Sequence, residues 1–145
     1  MFKKILVPTD GSELSGKAVQ AAVDFARSTG AALEVLSVAE PYPYSPIGET
    51  AFVPDLAEYE KQALDAARNV VGKVAILAEQ AGVTVETHLA QSFNPYEEIV
   101  KVAEKSGCDA IFMASHGRKG LNRLFIGSET QKVLAHTTLP VLVFR

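Results

Sequence analysis

The sequence has 145 residues but only one cysteine, Cys108, and no tryptophan. A single cysteine excludes an intramolecular disulfide and the usual cysteine-rich zinc patterns, and it fits a reducing compartment. The sequence also lacks an apolar run of about 20 residues, the length that a transmembrane helix needs. The short apolar stretch near the start is smaller than the apolar core of a signal peptide. We therefore expect a cytoplasmic protein without a membrane partner.

An excess of positive charge is also missing, since the formal net charge is −3. Proteins that bind nucleic acids or anionic membranes in a general way usually carry a net basic face, so we expect no nucleic-acid partner. Hydrophobic residues make up 48% and charged residues 21% of the chain, which are ordinary values for a globular protein. The length is typical of one domain, and we expect residues 1–145 to form a single one.

Short apolar runs alternate with segments of helical periodicity along the chain. The strands are predicted at residues 5–7, 32–38, 83–89, 109–114 and 140–144. The helices are predicted at residues 14–29, 56–81, 95–106 and 129–136. This order predicts an α/β fold with an open parallel sheet, right-handed crossovers and helices on both faces. The third strand alternates apolar and polar residues, which indicates an edge position.

Three helix starts have polar residues suited to capping. Ser12 precedes the first helix, and Gly30 is placed to end it. Asn94 stands before a proline at the first position of the third helix, which is a strong start signal. Ser128 and Gln131 have the spacing of a capping box at the start of the last helix.

Residues 39–55 form a long segment rich in proline and aromatic residues. Loops of this length without regular structure are uncommon in compact domains and often have a function. Two interpretations remain open: a lid or partner surface, and a variable surface loop.

Residues 114–128 follow the fourth strand and combine glycines with cations. Ligands of open parallel sheets bind beyond the carboxyl ends of the strands, and Gly117 and Gly127 would let backbone amides approach an anion. The helix start near Ser128 adds free amides and a positive dipole end. Three cations of this loop create a local positive potential in an acidic chain: Arg118, Lys119 and Arg123. Glycines also follow strands for turn reasons alone, and neither the Walker nor the dinucleotide pattern is present.

The spacing of the loop resembles a known family. His116 and Gly117 are followed by nine residues, then by Gly127 and Ser128, and an apolar strand ends the chain. Together with the opening segment, residues 5–12, this pattern is similar to the nucleotide-binding class of the universal stress protein family. The resemblance implies a Rossmann-like five-stranded sheet of order 3-2-1-4-5. It also implies a homodimer paired through the C-terminal strand.

The resemblance further implies a site for ATP or another adenine nucleotide, with Mg²⁺ as a compatible companion of the phosphates. Pro8, Thr9 and Asp10 would line the adenosine pocket, and Val38 would meet adenine through its backbone. The ribose and phosphates would lie in the loop and at the next helix, in contact with Met113, Ala114, His116, Gly117, Arg118, Gly127, Ser128, Glu129 and Thr130. The family pattern has a glycine where this chain has Ala114, and an alanine would hinder any backbone approach that needs a positive φ.

No catalytic residue is assigned. A slow ATPase or phosphotransfer enzyme would need a general base, and Asp10, His116 and Glu129 are the nearby candidates. A dimeric interaction scaffold that binds no nucleotide is a further alternative, and a binding role in the stress response is the interpretation we favour. No histidine has a suitable second ligand beside it in the sequence, so no transition-metal site is expected.

Overall fold

The computed structural model describes residues 1–42, 55–117 and 126–145. Within these ranges strands and helices alternate as predicted. The strands are β1 (Lys4–Pro8), β2 (Ala32–Ala39), β3 (Val85–Gln91), β4 (Ala110–Ala114) and β5 (Val141–Phe144). The helices are α1 (Glu13–Thr29), α2 (Leu56–Gln80), α3 (Pro95–Lys105) and α4 (Ser128–His136). Arg118, Lys119, Arg123 and most of the proline-rich segment lie outside the described residues.

The five strands form one parallel sheet of order β3-β2-β1-β4-β5. The predicted fold class, strand order and edge position of β3 are therefore confirmed. The chain builds outward from β1 through β2 to β3 and then returns to the other side of β1 as β4 and β5. The strand order thus reverses between β1 and β4, which is where open α/β sheets bind ligands.

Helices cover both faces of the sheet because side chains along each strand point alternately to the two sides. On β1, Ile5 and Val7 belong to a core cluster that includes α1 and α2. Leu6 belongs to a second cluster with Ile99 of α3 and Val133 of α4. All three β1 side chains are almost fully buried. No helix in the described ranges is both long enough and apolar enough to cross a membrane.

Two of the predicted helix starts differ in detail from the structure. Ser12 caps α1 as expected, since its side chain accepts a hydrogen bond from the Ser15 amide. Asn94 makes no side-chain cap hydrogen bond, because a carboxylate of another helix accepts from the first turn of α3 in its place. The capping box at Ser128 is also wrong: Gly127 is the N-cap, and the Gln131 side chain donates to the Ile126 carbonyl.

Four aromatic rings join β4 to both chain ends. Phe112 lies 5.7 Å from Phe25, 6.1 Å from Phe144 and 6.4 Å from Phe2 between ring centroids. Phe112 is 3% exposed, so truncation of its side chain would leave a cavity in the core. Tilted and edge-on ring pairs of this kind add to the free energy gained from burial.

We expect Phe112→Ala to lower the free energy of unfolding by about 3–5 kcal/mol, because the transfer and cavity costs add. Urea denaturation followed by circular dichroism measures this change. Phe93→Ala is the matched control, since Phe93 is 55% exposed, and its effect should stay within about 0.5 kcal/mol. Equal losses in the two variants would contradict the central role of Phe112 in the core.

Candidate functional site

A cleft of about 630 Å³ opens at the carboxyl edge of the sheet. It forms because neighbouring strands end at different levels. β1 pairs with β2 only as far as Pro8 and Leu36, whereas β2 continues to Ala39 along β3. The cleft therefore lies beyond the end of β1 and beside the extended end of β2. Its volume is within the usual range of small-molecule sites, about 300–1,000 Å³.

The register of β2 directs the main chain of Val38 into this space. The Leu36 carbonyl accepts from the Thr9 amide, so the main-chain groups of Leu36 face β1. The Ala39 carbonyl accepts from the Ser92 amide on the other side. Because alternate residues of a strand face the same neighbour, the main-chain groups of Val38 point towards β1, past its last paired residue. Val38 is one of the residues that line the cleft.

Asp10 lines the cleft near Gly117. One Asp10 carboxylate oxygen, Oδ1, accepts from the Ser12 amide at 2.9 Å, which fixes the turn between β1 and α1. The other, Oδ2, lies 2.8 Å from the position that a Cβ atom on Gly117 would take. A side chain at residue 117 would therefore require the Asp10 carboxylate to shift. Glycine at residue 117 leaves room for the Asp10 carboxylate, which also lines the cleft.

Gly127 holds the start of α4 against the end of β4. Its amide donates to the Ser115 carbonyl at 2.8 Å. A Cβ atom on Gly127 would lie 2.7 Å from that same carbonyl oxygen, so the approach requires glycine. The Gly127 backbone is extended, with φ −61° and ψ 153°, and no side chain in the described part of the chain caps α4. The first-turn amides of a helix lack intrahelical acceptors, and the first-turn residues Ser128, Glu129 and Thr130 line the cleft.

Thr130 makes a second link between α4 and β4. Its buried hydroxyl donates to the Ala114 carbonyl at 3.0 Å and to the Ser115 carbonyl at 3.1 Å. Ala114 itself is a regular residue of β4 opposite Phe144. Among the described residues only glycines have a positive φ, so Ala114 adopts a backbone that any residue can take. The structure thus removes the backbone objection that the missing glycine raised.

Glu129 lines the cleft but is already engaged on both oxygens. Its Oε2 atom accepts from the Tyr96 amide at 3.0 Å, and its Oε1 atom lies 3.2 Å from the Lys132 ammonium. The carboxylate therefore acts as the N-terminal cap of α3, where its negative charge is stabilised by the helix dipole. A carboxylate used in this way is poorly placed to accept a proton from an attacking water.

His116 stands between the cleft and α4. Its Nδ1 atom is 2.9 Å from the Ser115 hydroxyl, and its ring lies next to Gly127. The Ser115 hydroxyl and the imidazole orient each other, so the ring has a structural partner. The position is suitable for a hydrogen bond to a ligand in the cleft, because His116 also lines that space.

The structure does not bring all of the predicted site residues to the cleft. Eight of them line it, namely Asp10, Val38, His116, Gly117, Gly127, Ser128, Glu129 and Thr130. The Thr9 side chain is buried against Ser15, and Met113 belongs to the core between the sheet and α3. Pro8 ends β1 within the sheet, and Ala114 contributes its carbonyl to Thr130. Arg118 lies outside the described residues.

Sequence reasoning missed the wall that α2 contributes. Tyr59, Ala63 and Val70 line the cleft, whereas Val74 and Ala78, further along the same stripe, are buried on the sheet. The helical periodicity of residues 56–81 predicts the helix but does not distinguish a side chain that lines a cleft from one that is buried in the core. The small size of Ala63 and its neighbours Ala66 and Ala67 is the only signal of open space in the sequence, and it also fits close helix packing.

We expect Thr130→Val to lower the free energy of unfolding by about 1–3 kcal/mol, because it removes a buried donor from two carbonyls. Thermal unfolding followed by circular dichroism measures the change. Thr87→Val, an exposed position on β3, is the control and should have little effect. A Thr130 variant as stable as the wild type would contradict the link between α4 and β4.

The whole chain is similar to proteins of one family. The model of the universal stress protein family matches residues 1–145. Universal stress protein MJ0531 of Methanocaldococcus jannaschii is 32% identical over all of this chain and 83% of its own length. Universal stress protein YxiE of Bacillus subtilis is 33% identical, and the match covers both chains completely.

Solved structures agree with this assignment. The structure of hypothetical protein MJ0577 has a TM-score of 0.84 at 31% identity, over 99% of this chain and 96% of that one. Two structures with lower identity share the fold. One is a universal stress protein in complex with cAMP (TM-score 0.71, 23% identity, 99% and 97% covered). The other is the Archaeoglobus fulgidus protein with dAMP (TM-score 0.69, 20% identity, 98% and 97% covered). Fold, site pattern and whole-length similarity together show that this chain belongs to the universal stress protein family.

Proposed function

We propose that this protein binds an adenine nucleotide, ATP or AMP, in the cleft and acts as a regulatory binding protein of the stress response. One observation carries the proposal: three groups line one cavity. They are the start of α4, which no side chain of the described residues caps, the Asp10 carboxylate, and the Val38 main chain, which faces past the end of β1. These three groups have the chemistry that phosphate, ribose hydroxyls and the adenine edge require.

The phosphates would lie at the start of α4. The first-turn amides there lack intrahelical acceptors, and the helix dipole favours negative charge at this end. Gly117 and Gly127 keep side chains out of the narrow space between β4 and α4. Mg²⁺ would enter with the phosphates and take few protein ligands, as hard cations usually do in nucleotide sites.

The nucleoside would extend from Asp10 towards β2. Asp10 accepts hydrogen bonds only, which suits the two ribose hydroxyls as donors. The N–H and carbonyl of Val38 together offer one donor and one acceptor, and the adenine edge presents the complementary pair. Solved relatives that are described as complexes with cAMP and dAMP support an adenine ligand for this fold.

The geometry favours binding over hydrolysis. Glu129 caps α3, His116 contacts the Ser115 hydroxyl, and Asp10 holds the Ser12 amide. Each of the three candidate bases thus already has a hydrogen-bond partner within the protein. Rapid turnover would need one of them to be positioned on an attacking water instead.

We expect ATP, ADP or AMP at millimolar concentration to raise the melting temperature by mass action, and GTP to raise it less. Isothermal titration then compares two glycine variants. Gly127→Ala should weaken binding about tenfold or more, the equivalent of one charge-assisted hydrogen bond, because its Cβ would displace the start of α4. Gly72→Ala, where a Cβ meets nothing within 4 Å, should leave the affinity unchanged.

Mass spectrometry of small molecules released from heat-denatured, freshly purified protein provides an independent check. Co-purified adenine nucleotide would exclude the scaffold alternative. The proposal fails if no adenine nucleotide is released and none shifts the melting temperature. ATP turnover that exceeds that of Gly127→Ala would instead favour the slow ATPase.

We also propose that the protein forms a homodimer through β5. This strand pairs only with β4 within the described chain, and Leu142 is 48% exposed. The carbonyls of Pro140 and Phe144 accept from the amides of Ile111 in β4 and of Ser115 just after it. The main-chain groups of Val141 and Val143 therefore face the other side, at the edge of the sheet. An open edge with an exposed leucine is suited to pairing with a second strand.

We expect Val143→Pro to halve the mass measured by light scattering, because it removes an outward-facing donor and leaves the β4 ladder intact. Circular dichroism checks that the variant remains folded. A mass unchanged by Val143→Pro would count against the β5 interface.

A further inference from the structure

A cluster of metal-ligand types lies away from the cleft, on β2 and β3. Glu34 is opposite Glu86, and Leu36 is opposite His88, in the parallel register of the two strands. Side chains two residues apart on a strand share a face, so Glu86 and His88 project on the same side as Glu34. Glu34 precedes Val38 by four residues, roughly 13 Å along the strand. The cluster is therefore separate from the proposed nucleotide site.

Glu34 is the fixed member of this cluster. It is 2% exposed, and its two oxygens have different partners. Oε1 lies 3.3 Å from the Lys4 ammonium, and Oε2 lies 2.5 Å from Nε2 of His88. A buried carboxylate is stable only with compensating charge or hydrogen bonds. Lys4 compensates Oε1, and the His88 imidazole is the hydrogen-bond partner of Oε2. A cation bound by Oε2 and His88 would replace that hydrogen bond, with both atoms as its ligands.

The distances suit a small cation. One ligand atom from each of Glu34, Glu86 and His88 lies within 4.8 Å of the other two. Donors bound to a tetrahedral zinc ion are roughly 3.4 Å apart, given bonds of about 2.0–2.2 Å. Glu86 is exposed and His88 is 30% exposed, so both can move the short remaining distance. The buried Glu34 supplies the rigid side of the site.

We propose that Glu34, Glu86 and His88 bind a divalent transition-metal ion of the Zn²⁺ type, with water at the remaining position. The imidazole nitrogen selects such an ion over Mg²⁺ and Ca²⁺, which prefer oxygen ligands. Two carboxylates and the Lys4 ammonium carry a net charge of about −1 at neutral pH, which a dication offsets. This inference revises the expectation of no metal site: Glu86 stands two residues from His88, and Glu34 is brought in by the sheet.

Cys108 is a further potential metal ligand near Glu34, but we do not expect it to bind the metal ion. Burial is the main cause that raises the pKa of its thiol to about 12, and the negative charge of Glu34 adds to the effect. Metals bind the thiolate, which is scarce at neutral pH under these conditions. Cys108→Ser is therefore expected to leave metal affinity unchanged.

The test is isothermal titration of chelator-treated, nucleotide-free protein with ZnCl₂, and with MgCl₂ in parallel. We expect one zinc site per chain and no comparable binding of Mg²⁺. Glu86→Gln and His88→Gln should each weaken zinc binding by at least about tenfold, since each removes a direct ligand. His136→Gln removes an exposed histidine that contacts the Lys132 carbonyl, and it should bind as the wild type does.

Zinc should also raise the melting temperature of the wild type and not that of His88→Gln. The proposal is overturned if zinc does not bind, if both ligand variants bind it as the wild type does, or if Cys108→Ser or His136→Gln abolishes binding. Glu86 is exposed, so Glu86→Gln keeps the test valid even where His88→Gln unfolds. Because no nucleotide is present, the result is independent of the proposed function.

Discussion

The unequal ends of neighbouring strands are the constraint on which the site depends. β1 stops at Pro8 while β2 continues along β3, so a space remains where a longer β1 would have paired. The same stagger leaves the main chain of Val38 without a strand on one side. At the opposite wall, the Ser115 carbonyl accepts from both Gly127 and Thr130. That one oxygen draws the start of α4 over the end of β4 and gives the cleft its narrow side.

Much of this arrangement was predictable because it follows from the periodicity of apolar residues and from the residue types at the turns. The alternation of strands and helices depends on the spacing of apolar residues. This spacing can be recognised in the sequence without knowing which segments pack together. Gly117 and Gly127 marked the correct turns. The structure gives each glycine a further physical role, because each leaves room for a close contact within the protein, with Asp10 and with the Ser115 carbonyl respectively. Strand order came from a family resemblance, since periodicity does not specify which strands are neighbours.

The failures have a common physical origin in contacts between distant segments. Asn94 has the residue type of a helix cap, yet Glu129 from α4 takes that position at α3. No local rule detects a carboxylate that arrives from another helix. The first half of α2 has the stripe of a core helix, but strand stagger opens space in front of Tyr59 and Ala63. Glu34 and His88 meet for the same reason, across 54 residues of sequence.

The burial of Cys108 has a practical consequence for work in solution. It is the only cysteine of the chain, it is 6% exposed, and its thiol has a pKa of about 12. Alkylating and maleimide reagents attack an exposed thiolate, so we expect the folded protein to react with them very slowly near neutral pH. A cysteine introduced on the surface can carry a fluorophore or spin label at one defined place, with no need to remove the natural one first.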